Sequence, residues 1–212
     1  MRAAPVLHGG SLLRVSWLVF GLFLCAGGVA CFLKAGLGLP PWDVLHQGVA
    51  KQLDLNFGVA NVIVSMAVLA LVWVLRAHIG LGTILNASLI GVFVIGLTAI
   101  DVSPQSLAVR IVLLALALPF FGAGSAFYIA AQMGAGPRDS LMLVVSQRLG
   151  VRIGFSRTAV ELLALVAGFA LGGTIGLGTV VFALGIGPAV EASFWLLART
   201  SLASPAVASA PA

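Results

Sequence analysis

The sequence predicts an all-α, polytopic membrane helix bundle of about six spans, arranged as two inverted three-helix repeats, each with a short re-entrant or surface helix. Three observations predict it. The 212 residues are 61% hydrophobic and 8% charged, with a mean hydropathy of +1.18; a soluble domain carries about 25% charged residues. Six apolar segments recur along the chain. The chain also aligns with itself at an offset of 96 residues, with 25 identities over the 81 positions from 14 to 94 and no gap. Repeats of this kind in a bilayer are characteristic of pseudo-symmetric bundles.

The segments lie at about 15–34, 58–76, 82–100, 111–131, 156–173 and 178–197. Each has at least 18 residues and at most one acid, enough to cross roughly 30 Å of hydrocarbon at about 1.5 Å per residue. The first is a retained span rather than a cleaved signal, because its copy is internal and Leu24 precedes Cys25 where a lipoprotein signal needs a small residue. Two further stretches, Asp43–Leu53 and its copy Asp139–Leu149, would reach only roughly 16 Å as helices. They are too short to cross and either dip into the membrane or lie on it.

Organisation follows: a short cytoplasmic N-terminus at 1–13, a first membrane repeat at 14–109, a second at 110–199 and a disordered Pro- and Ala-rich tail at 200–212. Six spans with the N-terminus inside place eight Lys/Arg residues in the cytoplasm and three outside, the orientation the positive-inside rule favours. Both termini are then cytoplasmic. Three spans per copy invert the second copy relative to the first.

The net charge of +5 is scattered over loops, so no nucleic-acid partner is expected. The partner is the lipid bilayer, with room for a small solute or coupling ion. Cys25, Cys31, His8, His46 and His78 form no metal-ligand spacing. No metal, no cofactor and no catalytic residue is expected, since no nucleophile–base pair or close carboxylate pair stands at a convincing spacing.

The element Gly38-Leu39-Pro40-Pro41-Trp42-Asp43 returns as Gly134-Ala135-Gly136-Pro137-Arg138-Asp139. Gly permits a sharp reversal, Pro fixes φ, and Asp accepts from free amides at a helix start. Asp43 and Asp139 therefore read as helix N-caps. The functional reading of the same residues is a pair of helix starts opening into a membrane cavity, where amides and carboxylates hold an ion or polar solute. Gly80-Leu81-Gly82-Thr83 and Gly176-Leu177-Gly178-Thr179 read as tight turns with Thr as cap and close helix packing.

Glu161 stands inside a span, where acids are costly and usually functional. Arg157, four residues earlier, shares its face and offers a local ion pair. The matching positions of the first copy, Asn61 and Ser65, are also polar. The candidate cavity thus comprises Asp43, Asp139, Glu161, Arg157, Asn61, Ser65 and Arg138. Glu191 reads as an interfacial carboxylate, and His46 as a surface or capping residue. Gly27, Gly28, Gly122 and Gly124 read as sites of close helix approach.

The doubled G-x-x-P-x-D element and the two GLGT elements resemble those of the YczE/YitT-like bacterial integral membrane proteins, over residues 14 to about 197. Leu39-Pro40 stands in the first copy where the second has Ala135-Gly136, which stiffens that turn. The resemblance implies a multi-pass protein of the bacterial inner (plasma) membrane and supplies no substrate. Sequence alone favours a small secondary transporter or exporter; a non-transporting scaffold or regulatory subunit is the alternative.

Overall fold

The computed structural model describes residues 6–77, 79–100 and 106–204. Among these, eight helices follow one another: α1 (Ser11–Ala35), α2 (Pro41–Leu53), α3 (Phe57–Val74), α4 (Leu81–Ala99), α5 (Leu107–Ala130), α6 (Pro137–Leu149), α7 (Ile153–Ala170) and α8 (Leu177–Leu197). Every helix of the second half starts 96 residues after its counterpart in the first.

Local chemistry sets these boundaries. Gly36 ends α1 in the left-handed region at φ 60°, returning its N–H to Phe32 O. Pro41 and Pro137 open α2 and α6, where a missing N–H costs nothing. Asn56 caps α3 by accepting from Gly58 N–H at 2.8 Å, and Ser106 caps α5 by accepting from Val109 N–H at 3.3 Å. Thr83 and Thr179 do not occupy the cap position. They stand in the first turn and accept from Gly80 and Gly176 N–H at 3.1 and 3.2 Å.

The core is the pair α1 and α5, which run antiparallel. Gly21 meets Gly124 and Tyr128, whereas Gly28, two turns on, meets Ala117 and Phe121. A Cβ added at Gly28 would lie 2.9 Å from Ala117 O, so only glycine allows this approach. Gly27 has only the Phe120 ring nearby, at 3.8 Å, and is no part of the seam.

Around this pair the two halves exchange elements. Helix α2 packs on α7, and α6 packs on α3. Gly178 N–H donates to Leu37 O at 2.7 Å, and Gly82 N–H donates to Met133 O at 2.7 Å. Gln52 donates to Leu171 O, and Arg148 to Leu75 O. In each of these pairs of contacts, both partners are offset by 96 positions.

Among the described residues, five helices (α1, α3, α4, α5 and α8) are long and apolar enough to cross a membrane. Helix α7, with 18 residues, carries Arg157 and Glu161. The outer face is apolar: Trp73, Val74, Leu163 and Leu184 are each at least 70% exposed, which only lipid accommodates.

The tail differs from expectation. Val6–Leu7 (β1) and Ala203–Ser204 (β2) pair antiparallel, so the chain beyond Thr200 is ordered as far as Ser204. The pairing satisfies backbone groups that a free tail would leave to water. Residues 1–5, 101–105 and 205–212 and His78 lie outside the described residues, and with them most of the expected disordered tail.

Candidate functional site

The first turns of α2 and α6 meet inside the bundle. Trp42 and Met142 pack with Val160 and Ala164 of α7, beside Val68 of α3. The Arg138 guanidinium lies over the Trp42 ring, 5.3 Å from its centroid, and 3.9 Å from Asp43 Oδ1.

The aspartates are not N-caps. Because proline takes the first helical position, Pro40 and Gly136 become the caps and make no side-chain cap bond. Asp43 and Asp139 fall in the first turn instead, where their charge still opposes the positive helix end. Asp43 is fully buried, and its Oδ1 lies 3.1 Å from His46 Nδ1. That same Nδ1 lies 2.9 Å from the Asn61 amide nitrogen. His46 and Asn61 are also fully buried, which corrects the reading of His46 as a surface residue. Its burial follows from α2 packing into the bundle; the i, i+3 spacing from Asp43 was the available signal.

The second copy is built differently. Tyr128 donates its hydroxyl to Asp139 Oδ2 at 2.5 Å. Phe32, Met142 and Arg157 stand at the positions matching Tyr128, His46 and Asn61, so the two carboxylates have unlike surroundings.

The structure thus brings Asp43, Asn61 and Arg138 together and adds His46 and Trp42. It holds Asp139 through Tyr128. Ser65 is buried one turn beyond Asn61. Arg157 and Glu161 pair with each other at 3.1 Å, with the Arg157 side chain 51% exposed; no contact joins them to Asp43. The glycine and threonine elements serve packing. Gly38 sits at φ 107° against the backbone of Gly176, and Gly134, at φ 116°, sits against Gly80 and Thr83. Thr179 also donates to Leu39 O at 2.7 Å.

Four buried polar atoms of the cluster lack a partner among the described residues: Asp43 Oδ2, His46 Nε2, Asn61 Oδ1 and Trp42 Nε1. Such groups are expensive when unmet. No group of three or more His, Cys, Asp or Glu side chains suited to a metal ion occurs among the described residues.

An apolar-surfaced helical bundle with a buried polar cluster defines an integral membrane protein. The chain belongs to the family of unknown function DUF6198, whose model matches residues 12–193. It is 37% identical over 198 residues to an uncharacterized protein of Haemophilus influenzae, covering 93% of this chain and 90% of that one. It is 32% identical over 175 residues to the uncharacterized membrane protein YczE of Bacillus subtilis, covering 82% and 81%. It is 30% identical over 169 residues to YyaS of Bacillus subtilis, an uncharacterized protein, covering 76% and 82%. The YczE-like resemblance read from the doubled motif is thereby borne out. No solved structure matches the chain.

Proposed function

We propose that this protein is a small secondary transporter of a polar solute, built from two inverted units that carry six spans between them. The observation that carries the reading is the meeting of two half-helix starts inside an apolar bundle, with charged and unpaired polar atoms at the junction. Discontinuous helices with starts at mid-membrane are how many transporters hold a solute. Each start contributes about half a positive charge. Together with Arg138 these balance Asp43 and Asp139, so the junction suits a neutral or zwitterionic solute better than a strong ion.

Several features support the inverted arrangement. Matching helices α1 and α5 run antiparallel, which an inverted repeat requires. The paired strands β1 and β2 bring the two ends of the described chain together, which supports an even number of crossings with α7 as the sixth. Charge distribution favours that side as the cytoplasmic face of the inner membrane.

The two faces also differ. Arg110 donates to Ala35 O at 2.6 Å and to Gly36 O at 2.7 Å, tying the end of α1 to the start of α5. Its counterpart Arg14 instead lines a cleft of about 570 Å³ with Gly80, Gln132, Met133 and Gly134, and Arg14 Nε is buried without a partner among the described residues. A tie on one side that is missing from the matching side is the kind of asymmetry that alternating access would use.

The test is electrical recording on supported proteoliposomes against a panel of small amino acids, amines and hydroxy acids. A solute-evoked current that disappears in Asp43→Asn, with that variant folded by circular dichroism, supports transport. Silence against the whole panel both electrically and in exchange of radiolabelled solute, or an unchanged signal in Asp43→Asn, overturns it in favour of a scaffold.

A further inference from the structure

We propose that Nδ1 of His46 is a proton-binding site whose occupancy decides whether α2 holds its own Asp43 or the Asn61 amide of α3. The geometry poses a conflict. Nδ1 has one in-plane position, yet two neighbours claim it: Asp43 Oδ1 at 3.1 Å and Asn61 Nδ2 at 2.9 Å. An unprotonated Nδ1 is an acceptor and takes an N–H from Asn61; it then offers nothing to the carboxylate. A protonated Nδ1 donates to Asp43, and the Asn61 amide must turn or leave. One proton therefore exchanges two bonds. Only an N–H bond is made or broken: with Nε2 keeping the proton of the neutral ring, uptake of a second proton at Nδ1 makes an imidazolium. A shift of the Nε2 proton to Nδ1 would leave the ring neutral and is told apart by which nitrogen titrates.

The unmet atoms point the same way. Asp43 Oδ2, Asn61 Oδ1 and His46 Nε2 are all buried and without partners among the described residues, on three side chains with no exposure. Unmet polar atoms at full burial are costly, so the triad has bonding capacity left for a proton or a polar guest. A proton fits the site better than a metal cation, because the Arg138 guanidinium already lies 3.9 Å from Asp43.

Neighbouring charges leave the exchange to this triad. Helix α3 carries no titratable side chain. The charges of α7, Arg157 and Glu161, hold each other. On α6, Arg138 faces Asp43, and Asp139 is held by Tyr128 of α5. Lys51, at the far end of α2, donates to Gly172 O. Since Met142 and Arg157 replace His46 and Asn61 in the second half, only one of the two carboxylates is coupled to an imidazole. The role of this proton as a coupling ion rests on the transport reading; its binding does not.

The experiment is nitrogen-15 histidine NMR of the full chain in micelles, with His8→Gln and His78→Gln so that His46 alone reports. We expect a single titration of the ring, with the proton arriving at Nδ1. Asp43→Asn should lower its midpoint by about one pH unit, because the protonated ring loses its acceptor. Asn61→Ala should raise it by about as much, because the neutral ring loses its donor. Opposite shifts are the signature of a contested nitrogen, and Asn61→Ala serves if Asp43→Asn does not fold. A ring that does not titrate, that titrates at Nε2, or whose midpoint moves the same way or not at all, overturns the proposal. The solute currents above are recorded separately with and without a pH gradient. Currents indifferent to the gradient remove the coupling role only; an inert His46 in a protein that transports removes the proton site only.

Discussion

At the scale of single residues, the two carboxylates of the doubled motif have parted company. Asp139 accepts from Tyr128 at 2.5 Å, so Tyr128→Phe should cost about 1–2 kcal/mol, measured by thermal unfolding in detergent; an unchanged midpoint would refute the bond's importance. Glu161 behaves otherwise. Its partner Arg157 is half exposed, so Glu161→Gln should cost about 0.5 kcal/mol or less and leave any solute current intact. A large loss of current would return Glu161 to the solute path. The sequence placed Asp43, Asp139, Arg157 and Glu161 among the candidate cavity residues but could not rank them, because burial of a side chain depends on what packs over it. His46 makes the point: it is ordinary in sequence and completely buried in the fold.

At the scale of elements, glycines decide which helices touch. Gly28 faces the Ala117 backbone, whereas Gly27 faces open space beside Phe120. Gly28→Ala should therefore destabilise by about 1–3 kcal/mol. Gly27→Ala should be neutral or stabilise by up to about 1 kcal/mol, since alanine favours the helix. The pair is read by thermal unfolding, and equal effects would mean that α1 does not approach α5 as described. The same logic applies to α2, where a Cβ at Gly168 would strike the backbone of Leu45. The short helices were legible from length and from Pro41 and Pro137. Their starts were misplaced by two residues, because proline supplies the first helical position and displaces aspartate from the cap.

At the scale of the whole molecule, the prediction is about sidedness. Trp42 and Arg138 stack within the bundle, so labels there cannot report a face. Leu53 and Leu149, at the far ends of the short helices, are 58% and 69% exposed. In a background lacking Cys25 and Cys31, Leu53→Cys should react with an impermeant maleimide from outside, and Leu149→Cys only from the cytoplasm. Reaction of both from one face would make the repeats parallel and remove the structural basis for transport.

The sequence by itself determined that the chain lives in a bilayer, because so little charge cannot cover a water-facing surface. It also determined where the helices begin again after 96 residues, because the motif that opens each short helix is written twice. Tertiary structure alone decided the rest. It set α1 against α5 in opposite senses and exchanged α2 and α6 between the halves. It also brought Asn61 to His46, Arg138 to Asp43 and Tyr128 to Asp139. These outcomes depend on which apolar faces find each other in three dimensions, and residues far apart in the chain carry no mark of that.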